Sequence, residues 1–293
     1  MTHRRELEQH RHSLGEIRGI LNSMKTLAYM ETRKLNRFLD SQRAAVTHIE
    51  NVARDFIAHF PHVLPQISQP QQVYLLFGSE RGFCGDFNSS LLQALESHVR
   101  DNNVRQPRLL VTGNKLCLQL QHDQRVSAFI DGINVAEEVE NMLNKIIDAI
   151  NQLPDKPLSL NVLYHVSEDE QVVVKKVLPP FEEYRHVRPQ YSHAPLLNLP
   201  PEDFLGELME QYLFSSLHEM ASQALMAENM RRLQQLEGAV KHMDDEAAKL
   251  LRQSNALRQE EIIEEIEVIL LSSSLHDQAG SKKYGKQVKK STE

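Results

Sequence analysis

The chain has no tryptophan, only two cysteines in 293 residues, and aromatics at 6%. Cys84 and Cys117 offer neither a metal-binding spacing nor a disulfide framework, which excludes a small cross-linked secreted scaffold and favours a reducing compartment. No run of eighteen apolar residues occurs, so no helix is expected to cross a membrane. The chain opens without a signal peptide, and any membrane link is expected to go through a partner. The 14 histidines are scattered, with no HExxH or paired ligand spacing, so no metal is expected. A net charge of -7 gives no electrostatic footprint for nucleic acid.

The most telling scarcity is local. From Glu202 to Leu275 there is no proline and there are only two glycines, Gly206 and Gly238, while good helix formers fill the rest. This predicts one very long helix. Leu233, Leu236, Val240, Met243, Ala247, Leu250 and Leu257 alternate three and four residues apart, and Leu213, Leu217, Met220, Ala224 and Ala227 continue the stripe upstream. Such a seam asks for a second helix in a left-handed supercoil. Residues 1 to 60, also free of proline, supply it with Leu14, Ile17, Leu21, Met24, Leu27 or Ala28, Met30, Leu35 and Leu39. Gly15 and Gly19 there either weaken the first turns or admit a close backbone.

Charge is uneven between these arms. Met1 to Phe60 carries ten Lys/Arg against seven Asp/Glu, and Glu202 to Leu275 carries six against fifteen. Exposed pairs between them contribute little each. The run Glu260, Glu261, Glu264, Glu265 and Glu267 around Ile262, Ile263 and Ile266 reads as a solvated helix face. Residues 276 to 293 turn polar and lysine-rich and are expected to be disordered.

Residues 61 to 201 read differently. Short apolar strands at Gln72–Gly78, Arg108–Gly113, Val126–Ile130, Leu158–Val166 and Gln171–Leu178 alternate with helical stretches at Phe87–Asp101, Leu116–His122 and Val135–Leu153. That alternation predicts a small, largely parallel sheet covered by helices, its last strand pair a hairpin around Glu168 to Glu170. Tyr184 to Pro201 is a proline-bearing link into the long helix. The fold class expected is therefore α/β: a long antiparallel two-helix coiled coil of the N- and C-terminal helices (1–60 and 202–275) with an inserted Rossmann-like domain (61–201).

Gly78 to Asn88, GSERGFCGDFN, is a glycine-rich turn between a strand and a helix. Such turns can hold phosphate on helix amides. Here there is no GK[ST] and no GxGxxG, and Glu80 and Asp86 would repel an anion, so a structural turn is the stronger reading, with Asp86 or Asn88 capping the next helix. Cys84 lacks a His/Asp pair nearby in sequence, and no catalytic residue is assigned.

These stretches resemble the gamma subunit of F-type ATP synthases. The family's turn is close to S-D-R-G-L-C-G-G-L-N, matched at Ser79, Arg81, Gly82, Cys84, Gly85 and Asn88, while Glu80 and Asp86 depart. Ile20 to Ala28, ILNSMKTLA, is similar to I-T-K-A-M-K-M-V-A. Glu228 with Arg231 to Leu236 falls on E-x-x-A-R-M-x-x-M, and Asn255, Arg258, Gln259, Ile262 and Glu265 fall on N-x-x-R-Q-x-x-I-T-x-E, with Ile263 in place of the threonine. The resemblance implies a rotor shaft with no catalysis and no cofactor of its own. Implied partners are the alpha and beta subunits of a catalytic hexamer, an epsilon subunit and a membrane c-ring, with the chain peripheral on the cytoplasmic side of a bacterial inner membrane. It implies Lys25, Arg33 and Lys34 as contacts to the acidic lever of beta, Asn255, Arg258 and Gln259 as contacts to a beta loop, and Arg81, Gly82, Cys84, Gly85 and Asn88 as the structural turn. Fewer basic residues in the first helix, the glutamate cluster and the extension past Leu275 suggest a divergent paralogue. A coiled-coil scaffold or tether would share the fold without threading a ring. A small-molecule enzyme would need convergent polar groups that the sequence does not display.

Overall fold

The computed structural model describes residues 2–154, 157–166 and 171–287. They form helix α1 (Thr2–His59), strand β1 (Gln71–Phe77), α2 (Phe87–Asp101), β2 (Arg108–Thr112), α3 (Asn114–Gln119), β3 (Val126–Ile130), α4 (Val139–Asn151), β4 (Leu158–His165), β5 (Val172–Leu178) and α5 (Pro201–Gln287). Pro201 opens α5 where its missing N–H is harmless. The helix then runs to Gln287, through twelve residues expected to be disordered. Without proline, each glycine in that stretch costs only about 1 kcal/mol, which does not stop a helix already under way. The expected turn around Glu168 to Glu170 lies outside the described residues.

The chain divides into two compact units, one of residues 1–23 with 238–293 and one of residues 24–237. In the first, the two helices run antiparallel, with Arg4 Nε 3.5 Å from Glu261 and Arg18 bidentate on Asp244 at 2.5 and 3.3 Å. Leu14, Leu21 and Leu250 are buried, and Val240, Met243, Ala247, Ser254 and Leu257 are half-buried at the expected three-four spacing. Gly15 and Gly19 face open space, so neither serves a close backbone approach.

In the second unit, α1 and α5 are again antiparallel: Lys25 meets Glu237 at 3.4 Å, Arg43 meets Glu219 at 3.9 Å, and Tyr212 Oη donates to Glu50 at 3.5 Å. Burial on α1 follows Ala28, Leu35, Leu39, Val46, Ala53 and Ile57. That row is narrower than the stripe read from sequence, because one facing helix covers only a seam. Ile17, Leu27 and Met30, expected on the stripe, are 46%, 61% and 62% exposed.

The sheet has the order β3-β2-β1-β4-β5, parallel except for β5, which is antiparallel to β4. Its faces are covered unequally. One face, through Val73, Leu75, Leu110, Leu160 and Val162, packs on α4 and the inner halves of α1 and α5. The other, through Tyr74, Leu76, Leu109, Val111 and Leu163, packs on α2 and α3. The inner strands β1, β2 and β4 are buried on both faces and mostly apolar, whereas the outer strands β3 and β5 are largely part-exposed.

Candidate functional site

The Gly78–Asn88 turn leaves the carboxyl end of β1 and lies against α5. Two residues in it take the left-handed backbone conformation, Phe83 (φ 63°) and Gly85 (φ 59°). At Gly85 a glycine avoids the left-handed cost, and a Cβ there would stand 3.1 Å from Gln235 Nε2. Neither Asp86 nor Asn88 caps α2 with its side chain. Asn88 turns back instead: its Oδ1 accepts the Ser79 N–H at 3.0 Å and its Nδ2 donates to Ser79 Oγ at 3.0 Å, both residues buried. This pair ties the ends of the turn together.

Two buried residues of α5, one helical turn apart, grip the other side, with a third at the rim. Buried Glu228 accepts the Arg81 N–H at 3.3 Å and the Cys84 thiol at 3.9 Å, and it pairs with buried Arg232 one helical turn on. Arg232 also donates to the Gly82 carbonyl at 3.3 Å, to Cys84 Sγ at 3.4 Å and to Asn229 Oδ1 at 2.7 Å. At the rim, Arg231 lies 3.5 Å from Asp86. Burial, helped by the Glu228 carboxylate, pushes the Cys84 thiol up to about 12 and outweighs Arg232. A neutral, 5% exposed thiol is a structural donor, not a nucleophile. Sequence reasoning placed Glu228 and Arg232 in a family motif without showing what they hold. The available signal was a carboxylate inside the apolar run from Met220 to Met230 with an arginine four residues on.

Glu80 corrects an expectation. Its carboxylate Oε2 accepts the backbone N–H of Asn114 at 2.8 Å and of Gly132 at 2.9 Å. Ligands of parallel α/β sheets bind at the carboxyl ends of strands. In this chain that place is filled from within: Gly78, Gly113 and Gly132 pack so tightly that a Cβ on any of them would meet a neighbour at 2.8 Å or less. Glu80 does not merely repel an anion; it already occupies the donors. Glu80→Ala, which leaves the Gly132 and Asn114 N–H groups without an acceptor, is expected to lower stability by about 1–3 kcal/mol in urea unfolding, and Glu80→Gln by less.

The other residues singled out by sequence divide between the units. In the second unit, Lys25 pairs with Glu237, and Lys34 bonds Glu137 with Glu31 at 3.9 Å, so both are engaged within the chain. Glu31 also accepts the Ala136 N–H at 2.6 Å, which pins α1 to the segment before α4. Arg33 has no carboxylate partner among the described residues; its guanidinium lies 6.0 Å over the Tyr29 ring. In the first unit, Asn255, Arg258 and Gln259 are exposed and make no side-chain hydrogen bond or ion pair among the described residues. Among the described residues no cluster of His, Cys, Asp and Glu could hold a metal, and no helix is long and apolar enough to cross a membrane.

A five-stranded, mostly parallel sheet packs on the inner halves of two long antiparallel helices and is clasped to the second by a glycine turn. A family model described as ATP synthase matches residues 3–274, and the chain belongs to that family. Curated relatives include the ATP synthase gamma chain of Clostridium perfringens, 22% identical over 276 residues that span 90% of this chain and 95% of that one. The gamma chain of Desulforamulus reducens is also 22% identical, over 92% of this chain and 98% of its own. Among solved structures, a chain of the Euglena gracilis mitochondrial ATP synthase superposes with a TM-score of 0.61 at 14% identity, covering 94% of this chain and 95% of that one. A chain from the central stalk and c-ring of the Tetrahymena thermophila enzyme gives 0.55 at 18% identity, over 75% of this chain and 99% of its own.

Proposed function

We propose that this chain is the gamma subunit of an F-type ATP synthase, the central shaft that couples rotation of a membrane c-ring to ATP synthesis or hydrolysis in an alpha/beta hexamer. The observation that carries this reading is end-to-end coverage: relatives named ATP synthase gamma chain span about nine-tenths of this chain and almost all of their own length. The chain supplies no catalytic group and needs no cofactor. It works by presenting a different face to each catalytic site as it turns, and each site's open and closed populations shift by the difference in contact energy. Epsilon joins it on the stalk, and its membrane attachment, on the cytoplasmic side of a bacterial inner membrane, runs through the ring. The departures in the turn and the glutamate run support a divergent paralogue.

Exposed groups without a hydrogen-bond or ion-pair partner among the described residues are those free to meet another subunit. Arg33, Arg258, Asn255 and Gln259 fit this role toward beta, whereas Lys25 and Lys34 would have to exchange Glu237 and Glu137 for an acidic lever of the partner. The test is to purify the tagged chain from native membranes and assay ATP hydrolysis. Equal amounts of alpha and beta with activity are expected; the chain alone, or a partner without ATPase activity, would sink the reading and favour a scaffold. Within the complex, Arg258→Ala is expected to slow ATP-driven ion pumping about tenfold, the loss of a charge-assisted contact worth about 1.5 kcal/mol, and Gln259→Ala about fivefold, the loss of a neutral hydrogen bond worth about 1 kcal/mol. Melting of the isolated chain should move by no more than about 0.5 kcal/mol, because both side chains are exposed.

A further inference from the structure

The amino end of the sheet holds a second feature, on the opposite edge from the glycine turn. Strand register places Gln72 opposite Ser159, and Tyr74 opposite Asn161, which in turn faces Lys176. These five side chains share one face of the sheet. Further along the same face Leu76 and Leu163 are covered by α2 and α3, and the polar amino half floors a cleft of about 960 Å³. That is the upper end of the range for small-molecule sites.

Three observations mark it as built for a ligand. Seven carboxamide side chains line the cleft and, among the described residues, no carboxylate does, in a chain with 40 Asp/Glu against 33 Lys/Arg. Ser159 and Tyr74 line it and make no side-chain hydrogen bond among the described residues, so neither hydroxyl is committed to another side chain. Asn161 is also held in place, its Nδ2 donating to Gln72 Oε1 at 3.2 Å, which leaves its Oδ1 as an acceptor. At the rim stand Arg105, exposed and without an internal partner among the described residues, and Lys176, whose ammonium meets Glu182 at 2.6 Å.

Carboxamides and hydroxyls each donate and accept, which matches the vicinal hydroxyls of a sugar, and an unpaired guanidinium matches a phosphate. We propose that this cleft binds a sugar phosphate, with its hydroxyls on the Ser159, Asn161 and Tyr74 floor and its phosphate at Arg105. The site is separate from every residue assigned to a subunit contact, so it stands or falls independently of the rotor reading.

The test is calorimetric titration of the isolated full-length chain with ribose 5-phosphate, glucose 6-phosphate, ribose and inorganic phosphate. Saturable binding of at least one sugar phosphate is expected with a Kd below about 1 mM, and ribose and phosphate each at least about tenfold weaker. Asn161→Leu should weaken the sugar phosphate about tenfold or more. Arg105→Ala, at an exposed position that cannot compromise folding, should weaken the phosphorylated ligand and leave ribose unchanged. No heat with any sugar phosphate at about 10 mM, equal affinity for inorganic phosphate, or binding indifferent to both substitutions would each overturn the assignment.

Discussion

Glu228→Ala is expected to destabilise the isolated chain by about 3–5 kcal/mol, the cost of breaking a buried ion pair from one side. Arg232 would keep its charge at 6% exposure and lose its carboxylate partner. The Arg81 N–H and the Cys84 thiol would lose their acceptor in the same step. Removing both charges is a different experiment. In Glu228→Leu/Arg232→Met no buried charge remains, and the loss should fall well below the sum of the single changes, with a coupling energy of about 1–3 kcal/mol in a double-mutant cycle. Additive losses would mean that the two side chains act separately and that the clasp is not one unit. Urea unfolding of the four proteins decides between these outcomes.

Gly113→Ala should be comparably severe, at about 3 kcal/mol or more. Gly113 has φ +92°, where an L side chain is strained, and its Cβ would stand 2.4 Å from the Gly78 carbonyl oxygen and 2.6 Å from its carbon. Strain of about 1–2 kcal/mol is joined by an overpacking cost of about 1–3 kcal/mol, and the obstacle is backbone that cannot rotate aside. Gly238→Ala is the matched control: it lies mid-helix, a Cβ there meets nothing within 4 Å, and it should raise stability by up to about 1 kcal/mol. Thermal melts in opposite directions for the two changes are expected; a tolerated Gly113→Ala would show that the turn after β1 can move away from the turn after β2.

The helices and the α/β alternation were legible because each rests on short-range pattern: absence of proline, three-four spacing, strand-length apolar runs. The breadth of the buried row on α1 was not, because Ile17, Leu27 and Met30 satisfy helical periodicity as well as Ala28 and Leu35 do. Which of them is covered depends on the facing helix. The turn was legible as a turn through its glycines, but its purpose was not. The carboxylate that holds it lies on α5, 147 residues beyond Arg81. Glu80 shows the same limit in reverse: its sign was read correctly, while its acceptance of two backbone N–H groups needs Asn114 and Gly132 brought beside it by β2 and β3. The sugar-phosphate cleft was invisible for a related reason. Ser159 and Asn161 look like blemishes in an apolar strand until register sets them beside Gln72 and Tyr74.

The cross-helix contacts of the second unit, each modest alone, carry a further consequence as a set. Lys25 faces Glu237, Arg43 faces Glu219 and Glu50 faces Tyr212. A heptad seam of leucine and alanine tolerates displacement by seven residues, since apolar side chains recur at that interval. The polar contacts do not recur with it. Sliding α5 by one heptad in one direction sets Met230 before Lys25, Tyr212 before Arg43 and Leu205 before Glu50. In the other direction Lys25 finds Asp244, but Arg43 meets Met226 and Glu50 meets the like charge of Glu219. The apolar seam supplies adhesion between the helices, and the sparse charges act as a vernier that admits one alignment.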